Sequence, residues 1–291
     1  MLLRTEGLSK DYGRIRALDA LDLTLAPGEV FGLLGPNGSG KTTALRLLMG
    51  FIRPTRGRAT IAGHDCWFES TLARGQVAYL PGELRLYDNM TGRRLVQFLS
   101  RLRGQAVNSH VELLARQLDI DLDRPIVQLS SGMKRKVALL AVLAPHAPLL
   151  ILDEPTNTLD PTMRDELLAQ LRRARDAGQA VLFSSHVLGE VEQVCDRVGI
   201  LQQGRLVHLQ GMAELRQARL IRASFKAPVA APRDDIAGIR MRKIEGNQIT
   251  METTGPLSGV LAWLAEQSPE DVRIEPLGLS SIYHRYHGAE V

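Results

Sequence analysis

The stretch Gly35-Pro-Asn-Gly-Ser-Gly-Lys-Thr-Thr43 constrains this chain more than any other. It fits G-x-x-x-x-G-K-[ST] and stands between a strand-like apolar run, Val30–Leu34, and a helical run, Lys41–Met49, with Gly50 placed as its C-cap. A polyphosphate carries several negative charges and must be wrapped closely. Glycines let the backbone curl until successive N–H groups point inward as an anion nest. The following helix adds free N–H groups and the positive end of its dipole. Lys41 sets a cation against the outer phosphates, and the Thr42 hydroxyl is an oxygen ligand suited to Mg²⁺. Gly35, Pro36, Asn37, Gly38, Ser39, Gly40, Lys41, Thr42 and Thr43 are therefore expected to cradle a nucleotide's phosphates. A chance Gly-rich turn would not explain the flanking strand and helix.

Around this loop, strand-like and helical runs alternate, which argues an α/β fold with a parallel-rich sheet. Strands are expected at Leu18–Leu25, Val30–Leu34, Val77–Leu80, Leu149–Leu152 and Ala180–Ser184. Helical spacing covers Thr91 to about Leu118, with Leu95, Phe98, Leu99 and Leu102 on one face. Further helices are expected at Met133–Ala144, which Pro145 must end, at Arg164–Ala177 and at Val187–Cys195. Near residue 218 the character changes. A turn-rich stretch follows Arg219–Lys226, and residues 219–291 read as a small α+β domain with strands at Ile236–Ile244, Gln248–Glu252 and Asp271–Glu275 and helices at Leu257–Glu266 and Leu279–Tyr286. Residues 1–218 form the main domain.

The chain has 291 residues, 44% of them hydrophobic and 23% charged, enough to bury a sizeable core. Its net charge of +4 is a mild bias toward polyanions, spread along the chain rather than massed in a tail. Cys66 and Cys195 sit at no metal-ligand spacing and read as small apolar fillers of a reduced, intracellular protein. Met1–Glu6 reads as a charged strand rather than a secretory leader, and no apolar run is long enough to span a bilayer.

Leu149-Leu-Ile-Leu-Asp-Glu-Pro155 is a buried strand ending in two carboxylates. Asp153 stands where α/β sheets place their ligands and is expected to hold Mg²⁺. Glu154 follows and, by strand alternation, points the other way, placed to polarise an attacking water as general base. Ser184-Ser185-His186 ends the next apolar strand, and His186 is positioned to reach a γ-phosphate. The alternatives are a helix-capping carboxylate pair and a hydrogen-bonded structural histidine.

With Leu129-Ser-Ser-Gly-Met133 ahead of a basic helix, the chain resembles the ABC ATPase family over residues 1–218. The landmarks come in the family's order: Tyr12 in Lys-Asp-Tyr-Gly, the phosphate loop, the signature at 129–133, the strand ending at Asp153-Glu154, Asn157-Thr-Leu-Asp160, and Ser-Ser-His186. The resemblance implies a P-loop NTPase core with a RecA-like sheet, an N-terminal antiparallel β subdomain and a helical subdomain at about 85–145. It implies ATP hydrolysis with Mg²⁺, and a head-to-tail dimer of two copies, or of this chain with a homologous ATPase. Each ATP would lie between one copy's phosphate loop and Ser130, Ser131, Gly132 and Met133 of the other. Tyr12 would stack on adenine, and Asp160 would link the two sites. It also implies an integral-membrane permease subunit as partner, which would hold the chain peripherally on the inner face of the membrane.

Three departures qualify that resemblance. Ser131 replaces the signature's first glycine, and Thr158 stands where Gly or Ala is usual. After Val77-Ala-Tyr-Leu-Pro81 the usual Gln is replaced by Gly82 and then Glu83, which could serve as the oxygen ligand instead. The segment Tyr79–Thr91 resembles the ATPases of ABC-2-type exporters, in which this region accepts a short helix of the membrane subunit. Arg85, Tyr87 and Met90 are the candidates for that groove. Two other readings stay open: a non-transport ABC ATPase acting on nucleic acid or the ribosome, and an importer ATPase with a regulatory C-terminal domain. One core, no sustained heptads and 4% aromatic content weigh against nucleic acid.

Overall fold

The computed structural model describes residues 1–104, 110–229 and 239–287. The chain divides into two compact units, Met1–Leu209 and Gln210–Val291.

The first unit is built on two sheets. In the smaller, β1 (Leu3–Tyr12), β2 (Ile15–Leu25), β4 (Arg56–Ile61) and β5 (His64–Asp65) pair antiparallel in the order β2-β1-β4-β5. The larger has six strands in the order β10-β9-β3-β8-β7-β6. These are β3 (Val30–Leu34), β6 (Val77–Leu80), β7 (Leu149–Asp153), β8 (Ala180–Ser185), β9 (Arg197–Gln202) and β10 (Arg205–Gly211). The five strands from β9 to β6 run parallel. Every residue of β3, β7 and β8 is buried, as expected of strands covered on both faces.

Helices α1 (Lys41–Leu48), α2 (Ser70–Gly75), α6 (Pro161–Asp176) and α7 (Leu188–Val194) accompany this sheet. Helix α7 can lie against β3 only because residue 32 is glycine. A Cβ there would stand 2.8 Å from Cys195 Sγ and 2.9 Å from a Val191 methyl. Both cysteines are buried, and burial foremost pushes the Cys66 thiol up to about 12, so Cys66 is an inert apolar filler.

Helices α3 (Gly92–Leu102), α4 (His110–Gln117) and α5 (Ser131–Leu143) form a separate layer. Val96, Leu114, Leu118, Leu140 and Ala144 share one apolar cluster in it, and Leu95, Ile126, Leu129 and Val137 another. The periodicity predicts one helical stretch from Thr91 to about Leu118. The chain instead leaves the helix at Arg103, whose guanidinium turns back to donate 2.6 Å to the Val77 carbonyl. Residues 105–109 lie outside the described residues.

In the second unit, β11 (Arg219–Ser224), β12 (Ile239–Glu245), β13 (Gln248–Thr253) and β14 (Asp271–Pro276) form an antiparallel sheet in the order β12-β13-β11-β14. It carries α8 (Met212–Gln217), α9 (Leu257–Gln267) and α10 (Leu279–His287). Ile221, Phe225, Met251, Val260 and Leu264 make its core. The division at 209/210 places α8 with this unit, whereas the composition change suggests 218/219. The Leu277 N–H donating 3.0 Å to the Ala218 carbonyl ties the end of α8 to this sheet. The expected strand at Ile236–Ile244 is described from Ile239 onward. Among the described residues no helix is long and apolar enough to cross a membrane.

Candidate nucleotide site

The ends of three adjacent strands build one edge. In the ladders Leu34 of β3 is level with Ser185 of β8, and Asp153 of β7 with Ser184. The loop 35–40 leaves β3 at that edge and turns into α1. Gly40 carries the turn at φ 108°, and a Cβ there would stand 2.6 Å from the Ala17 carbonyl oxygen. Only glycine satisfies both demands. Asn37, Gly38, Ser39, Gly40, Lys41, Thr42 and Thr43 line a pocket of about 160 Å³ with Ala17 and Glu154.

Lys41 is 5% exposed. Its Nζ donates 2.6 Å to the Gly35 carbonyl and 3.2 Å to that of Pro36, and lies 3.5 Å from Glu154 Oε1. The Thr42 hydroxyl donates 2.9 Å to Asp153 Oδ2, and the Ser184 hydroxyl donates 2.6 Å to Oδ1. Asp153 is 2% exposed, so two hydroxyls hold a carboxylate that faces the phosphate loop out of bulk water.

Glu154 departs from the expected strand alternation. β7 ends at Asp153, and Glu154 adopts φ 47°, a left-handed backbone uncommon for a side chain of this size. Both carboxylates therefore turn toward the phosphate loop: Asp153 meets Thr42 and Glu154 meets Lys41. Glu154 Oε2 also accepts from Asn157 Nδ2 at 2.9 Å and lies 3.0 Å from His186 Nδ1. Burial alone would raise the Glu154 pKa. The Asn157 hydrogen bond, Lys41 and His186 more than offset that and hold it below the usual carboxylate range.

A larger cleft of about 560 Å³ adjoins these groups, lined by Thr42, Arg46, Tyr79, Glu83, Asp153 and Glu154 among others. Gly82 packs so closely on Asp153 that a Cβ would stand 3.2 Å from Oδ2, while Glu83 is exposed on the cleft wall. Burial foremost, with the Asp153 charge, pushes the Tyr79 hydroxyl up to about 12. Arg85 lines the same cleft. Tyr87 is exposed edge-on to Phe98, and Met90 packs on the Leu95–Ile126 cluster.

At the signature, the Ser130 hydroxyl caps α5 by accepting from Met133 N at 3.3 Å, leaving Ser130 and Ser131 exposed at the helix start. Gly132 abuts the next landmark: a Cβ there would stand 3.0 Å from the Thr158 carbonyl. Met133 packs into the helical layer. Thr158 adopts φ 67°, where the usual Gly would be unstrained. Asp160 caps α6, accepting 3.0 Å from Met163 N. Tyr12 is half exposed at the end of β1, with Lys10 Nζ 5.1 Å from its ring centre.

Two residues escape the sequence reading. Glu190, 6% exposed, accepts from Thr156 and Ser185 and pins the turn after β7 to the end of β8. Arg135, 3% exposed, donates to the carbonyls of Pro81, Gly82, Asp153, Glu154 and Pro155. Neither leaves a motif, because the partners are hydroxyls and carbonyls distant in sequence.

A phosphate loop between β3 and α1, facing paired carboxylates on the neighbouring strand ends, defines a P-loop nucleotide-hydrolysing protein. The family model described as ABC transporter matches residues 18–157. The linearmycin resistance ATP-binding protein LnrL of Bacillus subtilis is 32% identical, over 74% of this chain and 70% of the relative. The daunorubicin/doxorubicin resistance ATP-binding protein DrrA of Streptomyces peucetius is 34% identical, over 74% and 67%. Nod factor export ATP-binding protein I of Sinorhizobium fredii is 31% identical, over 94% and 79%. Among solved structures, an ATP-binding subunit of an ABC transporter superposes with TM-score 0.69 at 29% identity, over 75% of this chain and 92% of that one. A dimeric cassette bound to ADP and Pi shares the fold at TM-score 0.66 and 20% identity, over 72% and 98%. The chain belongs to the ATP-binding proteins of ABC transporters, and its activity is ATP hydrolysis coupled to transport.

Proposed function

We propose that this chain is the motor subunit of an ABC-2-type exporter, working as a head-to-tail dimer beneath a membrane permease. The observation that carries the reading is the convergence of Lys41, Thr42, Asp153, Glu154 and His186 at one strand edge. Thr42 Oγ1 and Asp153 Oδ2, 2.9 Å apart, are hard oxygen donors that fit Mg²⁺, with Glu83 an exposed carboxylate on the same cleft. The ion would neutralise charge on the outer phosphates.

In this reading Lys41 and the N–H groups of the loop bind and orient the ATP phosphates. Glu154 polarises the attacking water, and His186, sharing its carboxylate, orients on the γ-phosphate. Lys41 drawn onto phosphate is lost to Glu154, which moves the carboxylate back toward its ordinary basicity. Ser130 to Met133 open α5 with an exposed positive dipole end, suited to the γ-phosphate held by a second copy or a homologous ATPase. Tyr12 offers a face for adenine, and Asp160, two residues after Thr158 and capping α6, would link the two sites.

Relatives named for drug resistance and Nod factor export favour export. The test is a tagged pull-down from gently solubilised native membranes in low and high salt. A salt-resistant polytopic membrane protein is the expected partner, whereas recovery of ribosomes or of salt-labile DNA in its place overturns the transport reading.

A further inference from the structure

We infer that Arg135 is a positioning residue for hydrolysis, holding the Glu154 peptide in the conformation that turns its carboxylate to Lys41 and tying that peptide to the 81–82 turn. The inference rests on the reading of Glu154 as the group that polarises water.

The guanidinium has five N–H donors and uses all of them. Nε donates 3.3 Å to the Pro155 carbonyl, and Nη1 donates 3.0 Å to each of Pro81 and Gly82. Nη2 donates 3.0 Å to the Asp153 carbonyl and also to that of Glu154. No carboxylate side chain is among these bonds, so the hydrogen bonds that hold the buried guanidinium all go to main-chain carbonyls. Burial lowers the Arg135 pKa, opposed by the Asp153 and Glu154 charges. Such a cage fits a planar fork and not an ammonium.

What the cage holds matters more than its own stability. Glu154 sits at φ 47°, a conformation that persists only where its surroundings over-determine it. Its N–H donates 2.9 Å to Ser184 Oγ on one side, and its carbonyl accepts from Arg135 on the other. Remove the second restraint and the peptide can relax to an extended backbone, which swings the carboxylate away from Lys41. Arg135 also lies about one turn into α5, the helix that Ser130 caps. Any displacement of that first turn is passed to Glu154 and to Gly82 through one rigid group, with Gly82 already packed on Asp153.

The experiment compares steady-state hydrolysis, ATP affinity and melting of the full chain carrying Arg135→Lys, alone and combined with Glu154→Gln. We expect turnover to fall by up to about a hundredfold, as small misplacements of a catalytic group do. The ATP dissociation constant should stay within about twofold, and Arg135→Lys should slow the Glu154→Gln protein by no more than about twofold. Should Glu154→Gln alone hydrolyse like the parent, the Glu154 reading fails. If Glu154→Gln is slow but Arg135→Lys is fast, or the two losses multiply, the Arg135 inference fails on its own. Arg135→Gln repeats the test if the lysine variant does not fold. If neither variant both melts like the parent and binds ATP, the side chain only holds the fold and the inference is overturned.

Discussion

Two buried charges in this molecule are answered differently. In the first unit Arg135 is surrounded by backbone carbonyls from two segments that border an open cleft. In the second, Glu252, 9% exposed, is held by Arg242 of β12 and Arg285 of α10, the latter at 3.4 Å. The second arrangement pairs charge with charge: one carboxylate takes a guanidinium from each side, and the product is a strand joined to a helix. The first leaves nearby carboxylates, Asp153 and Glu154, facing space that a ligand can enter. A buried charge thus marks a working site when its partners leave other polar groups aimed at a cleft. When charges pair off, it is a fastening.

The sharpest way to break this contrast is Glu154→Gln. Turnover should fall by about 10²–10⁴-fold while ATP is still bound. In the proposed sandwich the variant also accumulates as a dimer in saturating Mg-ATP, which size-exclusion chromatography reads; a monomer there sinks the sandwich. Lys41→Ala should weaken ATP binding by roughly 2 kcal/mol, about thirtyfold by equilibrium titration, as loss of a hydrogen-bonding cation does. Unchanged affinity would contradict the phosphate-loop assignment.

Glu252→Gln tests the other side. It should destabilise the second unit by about 1–3 kcal/mol, since Arg242 and Arg285 lose their shared counter-charge. ATP turnover should stay at the parent level; a large drop in turnover with an unchanged melt would erase the distinction between site and fastening. Tyr12→Ala should cost roughly 1 kcal/mol of ATP affinity if the ring stacks on the base, and nothing for inorganic triphosphate.

The smallest effect concerns pH. The folded-state pKa of Glu154 lies below its ordinary value of 4.5, so its stabilising contribution is present above that value and is lost as pH falls through the lower, folded one. Nucleotide-free protein should therefore lose melting temperature more steeply in that acid window than Glu154→Gln does. Parallel curves would show that Lys41, Asn157 and His186 do not stabilise the carboxylate.

How far the sequence could be read follows the range of the interactions. The phosphate loop was legible because strand, glycines, Lys41 and the helix are contiguous, and the strand ending at Asp153 because its burial is continuous. Glu154 was legible as a carboxylate in the right place but not in orientation, because its left-handed backbone breaks the alternation of strand side chains. Arg135 was legible only as one of three basic residues on a helix. Its acceptors are carbonyls 18 to 54 positions away, and a carbonyl has no letter in the alphabet. The strands at 56–65 and the helix at 70–75 drew no reading, being short and rich in Arg, Gly and Thr. The short α8 likewise drew no reading.

Gly40 joins more than the phosphate loop to α1. Its bare Cα nestles against Ala17 of β2, while Ser39 O accepts 2.9 Å from Gly204 N and Gly204 O accepts 2.8 Å from Asp19 N. Three chain segments are thus riveted where the loop begins its turn, so this wall of the pocket is an anvil. Glu154, His186 and the 81–82 turn are held instead by side-chain hydrogen bonds. A nucleotide would thus meet one wall fastened by backbone contacts and another fastened by side chains.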